Sequence, residues 1–391
     1  MKEYTCHLKI SPSAFLHPID PPINHAHPAK DGLLWERFGI SSWKKVLFFD
    51  LETTGLSAKY NHIYLIGCAF FDGDTLSVRQ FFAEAPEEEA AILSAFSSFA
   101  AAFSVVVTFN GTRFDLPFLK QRCQLASLDD PLQQWEHLDL LPWIAPFQEL
   151  LRLPNRKQAS LEQFLALSRE DPYSGGELIP AYQEYVKHAS SDLLSRLLAH
   201  NREDVANLTQ LLPILAYRLF FEGQFEVVET SLHPYRTYEG SEEFELRFTL
   251  RLKLPLPCPL TASLKDLYVK GQEDHVRLNV KLFCGELKYF YPNYEDYYYL
   301  PAEDRAIHKS IAAYVDREFR TKAKARTCYI RKSGRFLPQY APCFTPCFQK
   351  SYEEKTFYLE LNEDFLSSCE AMKQYILHLL EALLRGSKHA S

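Results

Sequence analysis

No stretch of this chain is apolar for long enough to cross a bilayer, since none approaches the roughly 18 residues that a membrane helix needs. The opening residues, Met1-Lys2-Glu3-Tyr4-Thr5-Cys6-His7, lack the apolar segment of a secretory leader. A disulfide framework is missing too. The nine cysteines are odd in number and scattered from Cys6 to Cys369, as in a reducing compartment. The closest pair, Cys343 and Cys347, has no second pair nearby to complete a zinc site. Internal repeats and low-complexity tracts are also absent. A cytoplasmic globular protein with no membrane partner is therefore expected.

Basic excess is lacking as well. The net charge is −7, and residues 221–391 balance 24 basic against 24 acidic residues, so all the surplus acid lies in residues 1–220. That distribution argues against tight non-specific nucleic-acid binding, which scales with the phosphates neutralised, but leaves room for a local basic patch. It suits a site whose ligands stay negative until a cation arrives.

What the chain does contain is length and apolar content: 391 residues, 47% hydrophobic and 24% charged, enough for two or three domains with real cores. Residues 1–45, rich in Pro and His, show no sustained period and read as an extended lead-in. His25 and His27, in that stretch, read as solvated. From Val46 the pattern becomes regular. Strands are predicted at 46–51, 62–71 and 75–83, the last two joined through the hairpin signal Asp72-Gly73. A helix follows at about 87–102, opened by Pro86 and three glutamates. Then come a strand at 104–109, a short helix around 116–123, a strand near 137–141, and helices at about 160–166, 178–188 and 191–212, where Pro213 ends the run. This order predicts an α/β domain at 46–221, a mixed sheet flanked by helices. Residues 222–391 read as a β-rich α+β domain, with strands at 244–254 and 275–284 and helices near 302–318 and 364–384.

Chemistry concentrates at the end of the first strand, Val46-Leu47-Phe48-Phe49-Asp50-Leu51-Glu52-Thr53-Thr54-Gly55. Residues i and i+2 of a strand share a face, roughly 6–7 Å apart, so Asp50 and Glu52 aim two carboxylates at one spot. Such a pair is costly to bury without a positive charge between, and hard oxygen ligands suit a divalent cation. A second motif, Asn110-Gly-Thr-Arg-Phe-Asp115, lies where strand gives way to helix. Asp115 alone reads as a helix cap, but ligands of open α/β sheets gather at these carboxyl strand ends. A third motif, His200-Asn-Arg-Glu-Asp204, interrupts the apolar stripe Leu193, Leu197, Leu208, Leu211 of the long helix. Glu203 points elsewhere and reads as a solvated carboxylate. Asp50, Glu52, Asp115 and Asp204 together are enough to hold two divalent ions roughly 3.5–4 Å apart, the arrangement of phosphodiester cleavage, with His200 as the base.

Asp-Leu-Glu-Thr-Thr-Gly, Asn-x4-Asp and His-x3-Asp resemble the three exonuclease motifs of the DEDD superfamily, whose fold is RNase H-like, over about residues 46–216. Within it, Arg169-Glu-Asp-Pro-Tyr-Ser-Gly-Gly-Glu-Leu-Ile-Pro180 leading to His200-Asn201 is most similar to the YprB-type RNase H-like family. The resemblance implies Mg²⁺- or Mn²⁺-dependent hydrolysis of DNA or RNA, from a single-stranded 3′ end. It implies substrate contacts from Thr53, Thr54, Leu56 and Asn110. His200 stands four residues before Asp204, the spacing of the tyrosine branch, whereas histidine-using members leave five and Ala199 fills that place. About 100° of helix rotation separates the two. Two rivals follow: a catalytically weak nucleic-acid-binding or interaction protein that keeps the fold, and a structure-specific endonuclease.

Weaker signals remain. His137 and Asp139 share a strand face, and Asp139 reads as a cap for the next helix. The second domain offers Tyr289, Tyr291, Tyr294, Tyr297, Tyr298 and Tyr299 ahead of the basic run Arg320, Lys322, Lys324, Arg326. These tyrosines either stack on bases while the cations follow phosphates, or pack a sheet beside a solvated basic edge.

Overall fold

The apolar run ahead of Asp50 forms the centre of a sheet. In the computed structural model, which describes residues 1–8, 42–73, 75–133, 135–173 and 175–387, strand β2 (Val46–Thr53) lies between β3 (Ile63–Asp72) and β5 (Val105–Thr108). Six strands run in the order β1-β4-β3-β2-β5-β6, with β1 (Lys2–Leu8), β4 (Thr75–Phe82) and β6 (Glu136–Asp139) completing it. β1, β4, β3 and β2 are antiparallel, whereas β2, β5 and β6 are parallel. The β3–β4 hairpin pairs Asp72 with Thr75, and Gly73 takes a φ of +60° in its turn, a value glycine adopts without strain. The lead-in expected over residues 1–45 needs correcting at its start. Lys2–Leu8 alternates exposed with half-buried residues and pairs with β4 as an edge strand. His25 and His27 lie outside the described residues.

Strand alternation sends Leu47, Phe49 and Leu51 to one face, where they pack with Ile66, Phe81 and Val106 against helices α1 (Glu89–Ala100) and α2 (Asp115–Leu125). Asp50 and Glu52 therefore point to the opposite face. There α3 (Gly175–His188) and the long α4 (Ser191–Gln210) cover the sheet, with Tyr182, Tyr185 and Leu197 against Tyr64, Leu65 and Phe82. Because β2 and β5 are parallel, their carboxyl ends share an edge, and α2 starts from that edge.

The chain divides into two compact units, Met1–Arg218 and Leu219–Ser391. The second is rich in antiparallel strands: a meander β7-β8-β9 (Phe225–Arg236, Glu242–Leu264, Leu267–Lys281), a closed barrel of β10 (Phe283–Phe290), β14 (Tyr329–Gln339), β15 (Phe348–Gln349) and β16 (Phe357–Glu360), and a small sheet β12-β11-β13 (Arg305–His308, Tyr297–Leu300, Thr321–Lys322). The helix expected near 302–318 is a misreading of this sheet. Residues 305–308 are strand, and only Lys309–Ala312 is α-helical, with a single 3-10 turn at Arg317–Phe319, because Ala306 must pair with Tyr299 to bury its side of the sheet. The C-terminal amphipathic helix forms at Cys369–Ser387. Among the described residues, no helix is long and apolar enough to cross a membrane.

Candidate active site

Three segments bring the acidic motifs to one place. Asp50 and Glu52 arrive on β2, Asp115 on the first residue of α2, and His200 and Asp204 on α4, which packs across β2 and β3. Close approach of helix to sheet is set by Gly67 on β3. A Cβ there would meet Asn201 Oδ1 at 2.0 Å, so only glycine admits this amide. Asn201 is fully buried, accepts from Gln80 Nε2 at 2.9 Å, and donates from Nδ2 to Asp50 Oδ2 at 3.1 Å. It thereby fixes the carboxylate that opens the first motif.

Asp115 does not cap its helix. Phe114 holds the cap position, and the Asp115 carboxylate reaches across to accept the Leu51 N–H at 3.2 Å, between Asp50 and Glu52. Asp139 is a true cap, accepting from Leu141 N at 3.1 Å. It also accepts from Asn110 N at 2.7 Å and Thr112 N at 3.0 Å, and so holds the loop that delivers Asp115. His137 on the same strand bonds Thr108 Oγ1 at 2.8 Å, and burial pulls its pKa down.

Burial and crowding set the electrostatics of the cluster. Asp50 is held well above the ordinary carboxylate range by burial first, then by Asp115, Asp204 and Glu52. Glu52, 8% exposed, is raised by burial first and then by Asp204 and Asp115. Burial lifts Asp115 to about 7 against the pull of backbone N–H groups, that of Leu51 among them. Ligand atoms of Glu52, His200 and Asp204 lie within 4.8 Å of one another, a spacing that a single ion spans. Hard carboxylate oxygens suit a divalent cation.

Two basic side chains face these carboxylates. His200 Nε2 lies 3.2 Å from Asp204 Oδ2 and 3.7 Å from Glu52 Oε1, while Nδ1 bonds Asp171 Oδ2. Burial lowers its pKa, but Asp204 and Asp171 outweigh that and raise it. Arg169 puts Nη1 2.7 Å from Asp204 Oδ1 and 3.2 Å from the buried Glu162 Oε2, and its pKa is raised in spite of burial by those two carboxylates. Glu203 is not simply solvated. Its oxygens accept from the backbone of Glu170 at 3.3 Å and Asp171 at 3.0 Å, clasping this segment to α4.

Substrate residues named from the sequence lie on the loops around the cluster. Thr53 Oγ1 donates to Gly55 O at 2.9 Å, Thr54 Oγ1 accepts from His62 N at 2.9 Å, and Leu56 is 84% exposed. Asn110 sits at φ +66° beside Asp139. That first loop is braced from below. Glu89, buried at the start of α1, accepts from Ile63 N at 2.8 Å and pairs with the buried Arg122 of α2, which also donates to Ala58 O at 3.0 Å.

Sequence reasoning missed Arg169, Asp171 and Asn201 as site residues. Asn201 was within reach, being one helical turn beyond Leu197 on the apolar stripe. Arg169 and Asp171 fall on an irregular segment, where no period marks which side chains turn inward.

A family model, RNase_H_2 of the RNase H superfamily, matches residues 47–216. The uncharacterized protein YprB of Bacillus subtilis is 29% identical over 232 residues, which cover 52% of this chain and 54% of YprB. The match thus spans about half the length of that relative. Among solved structures, the family B DNA polymerase of the archaeon Pyrobaculum calidifontis aligns over 62% of this chain and 33% of its own at 14% identity, with a TM-score of 0.35. Brucella melitensis NrnC bound to pGG aligns over 46% and 75% at 16% identity and a TM-score of 0.31. The zinc-bound E. coli ExoI–ssDNA complex aligns over 53% and 54% at 13% identity and a TM-score of 0.27.

Proposed function

We propose that this chain, whose residues 47–216 match a model of the RNase H superfamily and which is similar to YprB, is a metal-dependent nuclease of that type acting as a 3′-5′ exonuclease on single-stranded nucleic acid. One observation carries the reading: four carboxylates from three separate segments converge with His200 at the carboxyl ends of parallel strands. Asp50, Glu52, Asp115 and Asp204 would hold two Mg²⁺ or Mn²⁺ ions. When bound, such ions polarise an attacking water and stabilise the leaving oxygen.

The chain's own groups do the rest. Asn201 and the Leu51 N–H orient Asp50 and Asp115. Arg169, held by Glu162, occupies Asp204 Oδ1 and leaves Oδ2 facing Glu52 and His200. Asp171 Oδ2 accepts a hydrogen bond from His200 Nδ1, so that Nε2 is the nitrogen offered to the site. Asp204 Oδ2 lies 3.2 Å from Nε2, and Asp204 and Asp171 together favour the protonated imidazole against the effect of burial. Once that oxygen is engaged elsewhere, Nε2 is available to accept a proton from water. The four-residue spacing from Asp204 thus still delivers an inward imidazole, in support of the base role. Thr53, Thr54, Leu56 and Asn110 stand on the substrate side.

One observation favours the rival of an inactive binding protein: Arg169 already neutralises part of Asp204. A Mn²⁺ titration by calorimetry separates the two, because a nuclease site binds the ion and loses it in Asp50→Ala or Asp204→Ala. Activity is tested on end-labelled single-stranded DNA, duplex DNA and RNA with Mg²⁺ or Mn²⁺. The expected result is stepwise shortening from the 3′ end by the wild type and none by Asp204→Ala. Cleavage of a circular single strand indicates an endonuclease, and equal digestion by wild type and variant sinks the assignment.

A further inference from the structure

In the second unit, the fold sorts the tyrosine-rich stretch and the basic run into two environments. Tyr297 and Tyr299 pack with Tyr291 around Ala306, Ala323 and Cys328, so these rings are core. Tyr298 turns the other way. It pairs across the strands with Lys322, whose side chain shares its face, and lies under the Arg320 guanidinium at 4.9 Å. Arg320 also donates to Ala312 O, which draws the 313–319 loop against this edge of the sheet. That loop and the short helix before it expose Ile311 at 60%, Tyr314 at 90% and Phe319 at 56%. Ile311 and Tyr314 are three residues apart on one turn, joined by the Tyr314 N–H to Ile311 O bond.

Charge is concentrated here too. Residues 305–326 hold seven Lys and Arg against two acids, in a chain whose net charge is −7. Arg317 and Lys322 are exposed, and no ion pair engages either among the described residues. Exposed flat rings interleaved with uncompensated cations complement a polyanion with free π-faces. We infer that the loop 309–319 and the adjoining Arg320–Lys322 edge bind single-stranded nucleic acid, with Tyr314 and Phe319 stacking on bases and Arg317 and Lys322 neutralising phosphates. This deepens the nuclease reading, and rests on it for the choice of a nucleic acid as partner.

The test is fluorescence anisotropy of labelled oligo(dT) and oligo(U) of about 20 nucleotides, with full-length protein in EDTA so that nothing is cut. Tyr314→Ala/Phe319→Ala is expected to bind at least about tenfold more weakly. Arg317→Gln/Lys322→Gln is expected to flatten the dependence of log K on log salt by about 1.4, two phosphates' worth for a single strand. Thermal unfolding of each variant, unchanged from wild type, shows that the fold is kept. If both double variants bind as the wild type does, the surface is not used and the proposal fails. It fails equally if the patch residues govern binding to phosphatidylserine vesicles or polyglutamate and not to either oligonucleotide. The two readings separate cleanly. A protein that cuts in Mn²⁺ but whose patch variants bind normally keeps the nuclease and loses this surface. One that binds through the patch but cuts nothing does the reverse.

Discussion

At the residue scale, the site is a balance of charges that no single side chain explains. Three of its carboxylates hold protons more tightly than usual: burial disfavours the ionised forms of Asp50, Glu52 and Asp115, and neighbouring carboxylates, Asp139 in the case of Asp115, add repulsion. For Asp115 the folded value is about 7, against an ordinary 3.8. Between those values the folded, metal-free protein holds a proton that the unfolded chain releases, so this residue's contribution to stability is present at acid pH and is lost as pH rises toward about 7. Urea denaturation in EDTA is expected to show wild type losing stability relative to Asp115→Asn as pH rises through that window. Asp171 acts through another residue. Asp171→Asn is expected to lower kcat roughly tenfold to hundredfold with KM little changed. It is also expected to move the acidic limb of the pH–rate profile, which reports the base, to lower pH, because Asp171 raises the His200 pKa; a purely structural change leaves that limb in place.

At the scale of elements, the site depends on how tightly loops are fastened to helices. Arg122 and Glu89 form a buried pair between α2 and α1, and each also bonds the backbone near the loop that follows Glu52. Glu89→Gln leaves a buried guanidinium without its counter-charge, a change that costs about 3–5 kcal/mol. Denaturation is expected to show that loss, and hydrogen exchange to show the loop around Ala58–Ile63 opening first. Glu203 and Arg169 fasten the segment before α3 in the same manner. Of these fastenings the sequence discloses little. Glu89 reads simply as a first-turn acid favourable to a helix N-terminus. Its burial depends on Arg122, 33 residues away, and no local pattern records that partner.

At the scale of the molecule, cation binding and folding are coupled in the first unit. An ion that binds only the folded cluster stabilises it by about 2.7 kcal/mol when present at a hundred times its Kd. Mn²⁺ is expected to raise the thermal midpoint of the wild type by that mechanism and to leave Asp204→Ala unmoved, as read by scanning calorimetry.

The sequence by itself determined most strands and helices of residues 46–216, though not the short helix Leu140–Ile144 that follows the strand expected near 137–141, because burial on sheets and helices imposes periods of 2 and 3.6 that survive in the order of residues. It determined the acidic motifs too, since carboxylates in apolar runs stand out against those periods. The edge strand at Lys2–Leu8 escaped because half of its residues face solvent and its partner, β4, lies some 70 residues away. The misplaced helix at 302–318 arose because short alternating segments carry too few turns to separate one period from the other. Only the tertiary structure decided which polar groups meet. Asn201 on Asp50, Asp115 on the Leu51 N–H, and Arg169 and Asp171 on Asp204 and His200 are contacts across long separations in the chain. Their energy depends on distance and burial in space, quantities that spacing along a sequence does not contain.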